Sequence, residues 1–187
     1  MTESTYDLAS YAEDLRRICR EESDDKKIVR RVAPLAQRLV ASPGVIKDEH
    51  YTCDEAQGFG VNLLHEEDDH SNAVFLIAWL PGRGTPAHNH KTWGVVVVAD
   101  GEERESWWRR VDDGTRPGYA ELERQTESTM APGQVSCVLP EDIHQVWNDT
   151  DRVSLSLHTY GKHINFTGRS EFDPEKKTER EYLVTVQ

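Results

Sequence analysis

Three histidines stand at a spacing that could hold a metal ion. His88 and His90 are one residue apart, and His144 follows much later in the chain. Alternate side chains of an extended segment point to the same side, so His88 and His90 can aim two imidazoles at one point. A third imidazole from His144 completes a set of neutral nitrogen ligands that leaves coordination positions free for catalysis. We therefore predict a metal site formed by these three residues.

The ligand type narrows the choice of metal without fixing it. We expect ferrous iron, while three imidazoles by themselves also admit zinc, nickel and manganese. Four further histidines, at positions 50, 65, 70 and 163, have no such spacing and are expected to be ordinary core or surface residues.

A second cluster of polar residues follows the third histidine. Ser156, His158 and Tyr160 alternate with the apolar residues Leu155 and Leu157. In a strand this alternation places all three polar side chains on one face, where they can hydrogen-bond in sequence and orient the Tyr160 hydroxyl. The pattern also fits an ordinary half-buried strand whose polar face is turned outward.

An arginine closes the glycine-flanked segment that follows this strand. Residues 161–169 begin with a glycine and end in Gly168 and Arg169, so the chain can turn back towards the mouth of a barrel. Guanidinium is the preferred bidentate partner of a carboxylate. An arginine exposed on the surface is the alternative.

The elements that must position these residues follow from the hydrophobic pattern. Apolar residues at steps of three and four predict helices over 4–22 and 26–40, within an N-terminal helical segment 1–45. Turn residues separate short β-rich runs further along, which indicates an antiparallel sandwich or barrel over residues 50–172. The predicted strands are 60–65, 73–80, 93–99, 103–110, 134–139, 145–148 and 153–160.

Three smaller predictions complete the outline. We expect the run through residues 93–98 to continue the strand that the two histidines enter. Residues 112–118 are predicted to form a loop, and the charged tail after Phe172 is predicted to wrap the surface.

Bulk properties exclude several classes of function. The 187 residues suit a single domain spanning 1–187. A net charge of -12 and no basic stripe argue against binding to nucleic acid or to a membrane surface. An odd number of cysteines without CxxC spacing, and no apolar leader or membrane span, predict a cytoplasmic protein with reduced thiols. The sequence leaves open a monomer or a small homo-oligomer.

The motifs around the histidines resemble those of the cupin superfamily. Five residues separate Gly82 from His88-Asn-His90, and Gly133 precedes the Pro140–Asn148 motif that contains His144. The resemblance implies a mainly β protein, a double-stranded β-helix or jelly-roll barrel that holds the metal, with N-terminal α-helices. One departure matters, because cupins commonly place a glutamate ligand shortly after His-x-His and this chain has none there.

Among cupins, the chain resembles the thiol dioxygenases, and within them bacterial 3-mercaptopropionate dioxygenase. These enzymes carry the same Ser-x-His-x-Tyr strand beside their iron, and the resemblance implies that Tyr160 faces substrate and oxygen while Arg169 binds the substrate carboxylate. Cysteine dioxygenases place that arginine on an earlier strand, where this chain has Val61. Mammalian-type enzymes also carry a crosslinking cysteine near the position of Gly94, so no crosslink is expected here.

The resemblance therefore predicts a non-haem Fe(II) enzyme that converts a small thiol carboxylate and O2 to a sulfinate. We expect 3-mercaptopropionate as the substrate, with mercaptosuccinate and cysteine as alternatives. A zinc or nickel cupin isomerase or hydrolase, and a cupin that only binds a small molecule, are the rival functions.

Overall fold

Two amphipathic helices open the part of the chain that the computed structural model describes, residues 6–187. Helix α1 spans Leu8–Glu21 and helix α2 spans Asp25–Val40. The side chain of Asp7 accepts a hydrogen bond from the amide of Ser10, which satisfies a free N–H at the start of α1. Both predicted helices are confirmed, except that the expected start at position 4 lies outside the described residues.

Strands make up most of the remaining chain. Their bounds are β1 Phe59–His65, β2 Ser71–Trp79, β3 Arg83–Gly84, β4 Ala87–His88, β5 Gly94–Asp100, β6 Glu103–Arg110, β7 Leu122–Met130, β8 Val135–Val138, β9 Ile143–Asn148, β10 Ser154–Lys162, β11 Ser170–Asp173 and β12 Thr178–Glu181. Short 3₁₀ helices occupy Asp48–Tyr51 and Ile164–Phe166.

The strands form two antiparallel sheets. One has the order β1-β2-β10-β5-β8, and the other has the order β12-β11-β4-β9-β6-β7 with β3 also paired to β9. Neighbours in each sheet are mostly distant in sequence, as expected for a double-stranded β-helix. The prediction of a mainly β protein with N-terminal helices is confirmed.

The helices cover the outer face of the five-stranded sheet. Leu155, Leu157 and Thr159 of β10 point to this side and are fully buried. The hydroxyl of Tyr11 in α1 lies 2.7 Å from that of Thr159, and Leu15 packs in the same apolar cluster. This packing fixes β10 from outside and leaves its other face free to line the interior.

Two wrong parts of the sequence prediction concern edge strands. Strand β7 was missed because nearly all of its side chains are exposed, so it lacks the alternation that marks a half-buried strand. The tail after Phe172 does not simply wrap the surface: it forms β12, which pairs with β11, and its Tyr182 is buried.

The path through the first two histidines also differs from the prediction. Residues 93–98 do not continue the strand of His88, because β4 and β5 lie in different sheets and the chain crosses between them. Lys91 adopts a φ of 54° at this crossing. His90 therefore lies on the connection and not in a strand. The predicted loop at 112–118 is confirmed between β6 and β7.

None of the helices in the described part of the chain is long and apolar enough to cross a membrane.

Candidate metal centre

The two sheets bring His88, His90 and His144 together inside the protein. One ring nitrogen from each lies within 4.8 Å of the others. His88 and His144 are direct partners in the antiparallel pairing of β4 with β9, which places their side chains on the same face. All three side chains are buried, with exposures of 3%, 1% and 1%.

Hydrogen bonds fix the outer nitrogens of two of these rings. Nδ1 of His88 lies 3.0 Å from the carbonyl oxygen of Pro86, and Nδ1 of His144 lies 2.7 Å from Oε1 of Glu105. A carbonyl oxygen can only accept, so His88 carries its proton on Nδ1 and leaves a lone pair on Nε2. Metal-binding histidines typically donate their second nitrogen to such an acceptor.

The inner nitrogens fit a cation. Nε2 of His90 lies 2.9 Å from Nε2 of His144, which faces inward with its lone pair when Nδ1 donates to Glu105. Burial lowers the pKa of His88 and of His90 well below the usual range, and the neighbouring imidazoles lower it further. Neutral rings with converging lone pairs are the donor set that a divalent transition metal requires.

A hydrogen-bonded chain runs beside this cluster. The Ser156 hydroxyl lies 2.8 Å from Nε2 of His158, and Nδ1 of His158 lies 2.8 Å from the Tyr160 hydroxyl. The Tyr160 ring stacks on His90 at a centroid distance of 4.7 Å. Ser156, His158 and Tyr160 are all buried on the inner face of β10, so the alternative of an outward polar face is wrong.

This hydrogen-bonded chain extends beyond Ser156 to the indole of Trp79. Nε1 of Trp79 donates to the Ser156 hydroxyl over 3.0 Å. Burial lowers the pKa of His158 to about 3 and raises that of Tyr160. Both groups are therefore neutral over the physiological range of pH.

Arg169 is buried near the histidines, and no carboxylate in the described part of the chain pairs with it. Its side chain is only 3% exposed, and its guanidinium lies 4.2 Å from the centre of the Tyr182 ring. Nε donates to the carbonyl oxygen of Tyr182, and Nη2 has no hydrogen-bond partner among the described residues. Burial lowers the pKa of Arg169. The alternative of a surface arginine is wrong.

His88 and His144 line one cavity together with Tyr160 and Arg169. None of the residues that line it in the described part of the chain is acidic, and Val61 forms part of its wall. The lining residues are Phe59, Val61, Ile77, Trp79, Thr85, His88, His144, Val146, His158, Tyr160, Ile164, Arg169, Tyr182 and Val184.

Gly94 gives the Tyr160 ring its space. The two residues are partners in the pairing of β5 with β10. A Cβ atom at position 94 would lie 2.7 Å from two ring carbons of Tyr160 and 2.8 Å from Val138. A side chain at this position would therefore displace the tyrosine.

Sequence reasoning missed three residues of the site. Glu105 and Trp79 each lie on a predicted strand, and the Glu103-x-Glu105 spacing could have indicated a polar inward face. Tyr182 carried no usable signal, because it follows an edge strand in a charged segment.

The sequence supplies the family. A family model described as cysteine dioxygenase type I matches residues 9–169. The chain belongs to the cysteine dioxygenase type I family. All three histidines, the polar residues of β10 and Arg169 lie within the match, whereas Tyr182 lies beyond it. The family is one of cupin-type thiol dioxygenases, and the three-histidine cluster of this chain fits a metal site.

Solved structures with a similar chain path have low sequence identity. A double-stranded β-helix protein from Klebsiella pneumoniae subsp. pneumoniae MGH 78578 is 12% identical with a TM-score of 0.49, covering 69% of this chain and 91% of that one. The DMSP lyase DddQ from Ruegeria pomeroyi DSS-3 is 17% identical with a TM-score of 0.48, covering 66% and 56%. An oxalate oxidase in complex with glycolate is 14% identical with a TM-score of 0.46, covering 63% and 59%.

Proposed function

We propose that this protein is a non-haem Fe(II) dioxygenase that converts a small thiol carboxylate and O2 to the corresponding sulfinate, with 3-mercaptopropionate as its preferred substrate. The observation that carries the proposal is the buried guanidinium of Arg169, which has no carboxylate partner among the described residues and lines the same cavity as His88 and His144. A buried cation without a counter-ion is costly, so an anionic ligand is expected beside it.

His88, His90 and His144 would hold the iron. When bound, ferrous iron supplies the redox chemistry that joins dioxygen to a thiolate. The three neutral ligands leave the charge of the ion uncompensated, which favours an anionic sulfur ligand. The product carries both oxygen atoms on sulfur, so the electrons that reduce dioxygen come from the sulfur and no separate reductant is consumed.

Arg169 would bind and orient the substrate carboxylate. Its Nη2 has no partner among the described residues, while Nε already donates to the Tyr182 carbonyl. Holding the carboxylate fixes the position of the thiolate at the other end of a short substrate. This lowers the entropic part of the activation free energy of thiol oxidation. The Tyr182 ring beneath the guanidinium holds it in place.

Tyr160 would hydrogen-bond the reacting ligand. His158 binds its hydroxyl from one side, and the ring stacks on the ligand His90. Ser156 holds His158 in turn, so the three residues orient one phenol. We assign Tyr160 the catalytic contact and regard His158 and Ser156 as the residues that position it.

The cavity favours a thiol acid without an amino group. Cysteine would bring an ammonium group, and the described lining residues offer no carboxylate to pair with it. Val61 occupies the part of the wall where, by the resemblance stated above, cysteine dioxygenases carry their arginine. These observations support 3-mercaptopropionate over cysteine, and mercaptosuccinate is the next candidate.

The test is turnover by the purified protein loaded anaerobically with ferrous iron. We expect oxygen uptake with sulfinate formed in equal amount, and the largest kcat/KM for 3-mercaptopropionate in a panel with mercaptosuccinate and cysteine. A large preference for cysteine would overturn the substrate assignment. If no thiol causes oxygen uptake despite bound iron, the dioxygenase assignment is overturned. The isomerase, hydrolase and binding-protein functions would then be the candidates.

Two pairs of variants test the assigned roles. Arg169→Leu should raise KM for every thiol acid, whereas Arg180→Leu, at an exposed arginine, should not. Tyr160→Phe should retain iron but show a lower kcat, or consume more oxygen than it forms sulfinate. Tyr119→Phe, on the loop between β6 and β7, is its control.

Location and assembly stay predictions from the sequence. We expect a cytoplasmic protein in which residues 1–187 act as one domain, as a monomer or a small homo-oligomer.

A further inference from the structure

A second glutamate lies inside the barrel, two residues before the one that binds His144. Glu103 and Glu105 share the inner face of β6, and Glu103 is fully buried. Neither carboxyl oxygen of Glu103 has a hydrogen-bond partner within the described chain. The polar groups close to it are the hydroxyls of Ser154 and Ser156 and the indole of Trp79. Glu103 therefore lies at the far end of the hydrogen-bonded chain that runs from Tyr160 through His158 to Ser156.

The hydrogen bonds around Ser156 leave one choice open, which is the acceptor of its hydroxyl proton. An indole N–H can only donate, so the Ser156 oxygen accepts from Trp79. The one proton of the Ser156 hydroxyl can then point to Nε2 of His158 or towards Glu103. The bond that Ser156 makes to His158 is seen at 2.8 Å, and its direction depends on this choice.

Each choice propagates to Tyr160. If Ser156 donates to Nε2 of His158, the imidazole carries its proton on Nδ1 and donates to the Tyr160 oxygen, so the phenol proton is free to point into the cavity. If Ser156 donates to Glu103, His158 carries its proton on Nε2 and accepts from Tyr160 at Nδ1. The phenol proton then points away from the cavity.

We propose that the protonation state of Glu103 sets the direction of this hydrogen-bonded chain, and thereby whether Tyr160 donates into the metal cavity. As a neutral acid, Glu103 can donate to Ser156 and leaves the serine proton to His158. As a carboxylate, Glu103 can only accept, and a charge-assisted bond draws the serine proton towards it. Glu103 is a positioning residue that acts through Ser156 and His158.

The surroundings make both states of Glu103 accessible. Burial raises the pKa of Glu103 to about 8, and the neighbouring Glu105 raises it while the two serines and Trp79 lower it. Glu105 is the other acidic residue on the same face of this strand, and Arg104 between them points to the opposite face. The facing strands β2 and β10 present Trp79, Ser154 and Ser156, which do not titrate, and then His158. Burial keeps the pKa of His158 at about 3, so this ring changes tautomer without becoming charged.

The direct test reads the tautomer of His158. Nitrogen-15 imidazole spectra of the full-length protein, loaded with diamagnetic zinc, distinguish a proton on Nδ1 from one on Nε2, and a His158→Gln spectrum assigns the signals. We expect the Nδ1–H form below the Glu103 pKa of about 8 and the Nε2–H form above it. Glu103→Gln should remain in the Nδ1–H form throughout, whereas Glu102→Gln, at the exposed neighbour, should switch like the wild type.

A second variant covers the case in which Glu103→Gln does not fold. Ser156→Ala removes the connection and leaves Glu103 in place, so the tautomer of His158 should no longer follow pH around that value. A tautomer that is the same on both sides of this pH in the wild type, or a switch that survives in Glu103→Gln or Ser156→Ala, would overturn the proposal.

The consequence for turnover rests on the proposed function. In the iron-loaded enzyme we expect kcat to fall with a midpoint near the Glu103 pKa, and Glu103→Gln to lose this alkaline fall. A tautomer switch in a protein that oxidises no thiol would refute the proposed function and keep the role of Glu103. Thiol oxidation without a tautomer switch would refute the role of Glu103 and keep the proposed function.

Discussion

The two faces of β10 are both buried, but they meet different surroundings. Leu155, Leu157 and Thr159 point outward against the helices, while His158 and Tyr160 point inward to the metal cavity. The outer face is stabilised by apolar area removed from water. The inner face buries polar groups that must find partners in one another.

This difference separates stability from chemistry within a single strand. Changes on the outer face should alter the free energy of unfolding and spare the metal site of every molecule that still folds. Changes on the inner face should alter metal affinity or the position of Tyr160. The following four predictions test that separation, ordered from the largest expected effect.

Leu157→Ala should have the largest effect on folding. The side chain is fully buried between the sheet and the helices, so truncation should lower the free energy of unfolding by about 2–5 kcal/mol. Urea unfolding measures this value, and metal bound per folded molecule should stay at the wild-type level. Leu183→Ala is the matched control, because Leu183 is 58% exposed and should change little. Loss of the metal from folded Leu157→Ala protein would show that the two faces are not independent.

Gly94→Ala adds a methyl group on the inner face. Its Cβ would lie 2.7 Å from the Tyr160 ring, so the ring must move. Overpacking of this kind costs about 1–3 kcal/mol, and we expect a displaced Tyr160 hydroxyl with a lower kcat. A crystal structure of the variant checks the displacement. A tyrosine that stays in place, with an unchanged kcat, would show that β5 yields instead.

Glu105→Gln removes the carboxylate that binds His144. Changing a group that orients a metal ligand typically lowers metal affinity by about 10- to 100-fold, and we expect a loss in this range. Competition against a chelator measures it. Glu102→Gln removes the same charge from the exposed neighbour and should keep the wild-type affinity. Equal affinities for the two variants would mean that Glu105 does not support the metal site.

Tyr11→Phe should have the smallest effect. It removes the hydroxyl that lies 2.7 Å from Thr159 on the outer face and leaves the threonine without this partner. We expect a loss of about 1 kcal/mol in the free energy of unfolding, with metal affinity and kcat retained. A change in kcat larger than the change in stability would show that the helices influence Tyr160 through β10.

The sequence predicted the parts that depend on local pattern. The helices, most strands and the inward spacing of Ser156, His158 and Tyr160 follow from periodicity, and the bounds of β6 were predicted without error. The break between His88 and His90 was not predictable in this way, because the crossing from one sheet to the other depends on tertiary pairing.

The remaining misses have related causes. Strand β7 exposes both of its faces, so no alternation marks it. The environments of Glu103 and Glu105 differ although the two residues share a type and a face. One binds His144, and the other has no partner among the described residues. The packing of other strands against β6 decides which of the two glutamates binds His144.

The residues after β12 form a wall of the cavity. Val184 exchanges two hydrogen bonds with Asn165, and the amide of Gln187 donates to the carbonyl oxygen of Val61 in β1 over 2.8 Å. The Tyr182 ring lies 5.3 Å from the ring of His88. This wall is therefore synthesised after the residues that it encloses: a ribosome exposes the helices, all three histidines and Arg169 before this segment, so the cavity is completed only after its chemistry-bearing residues have emerged.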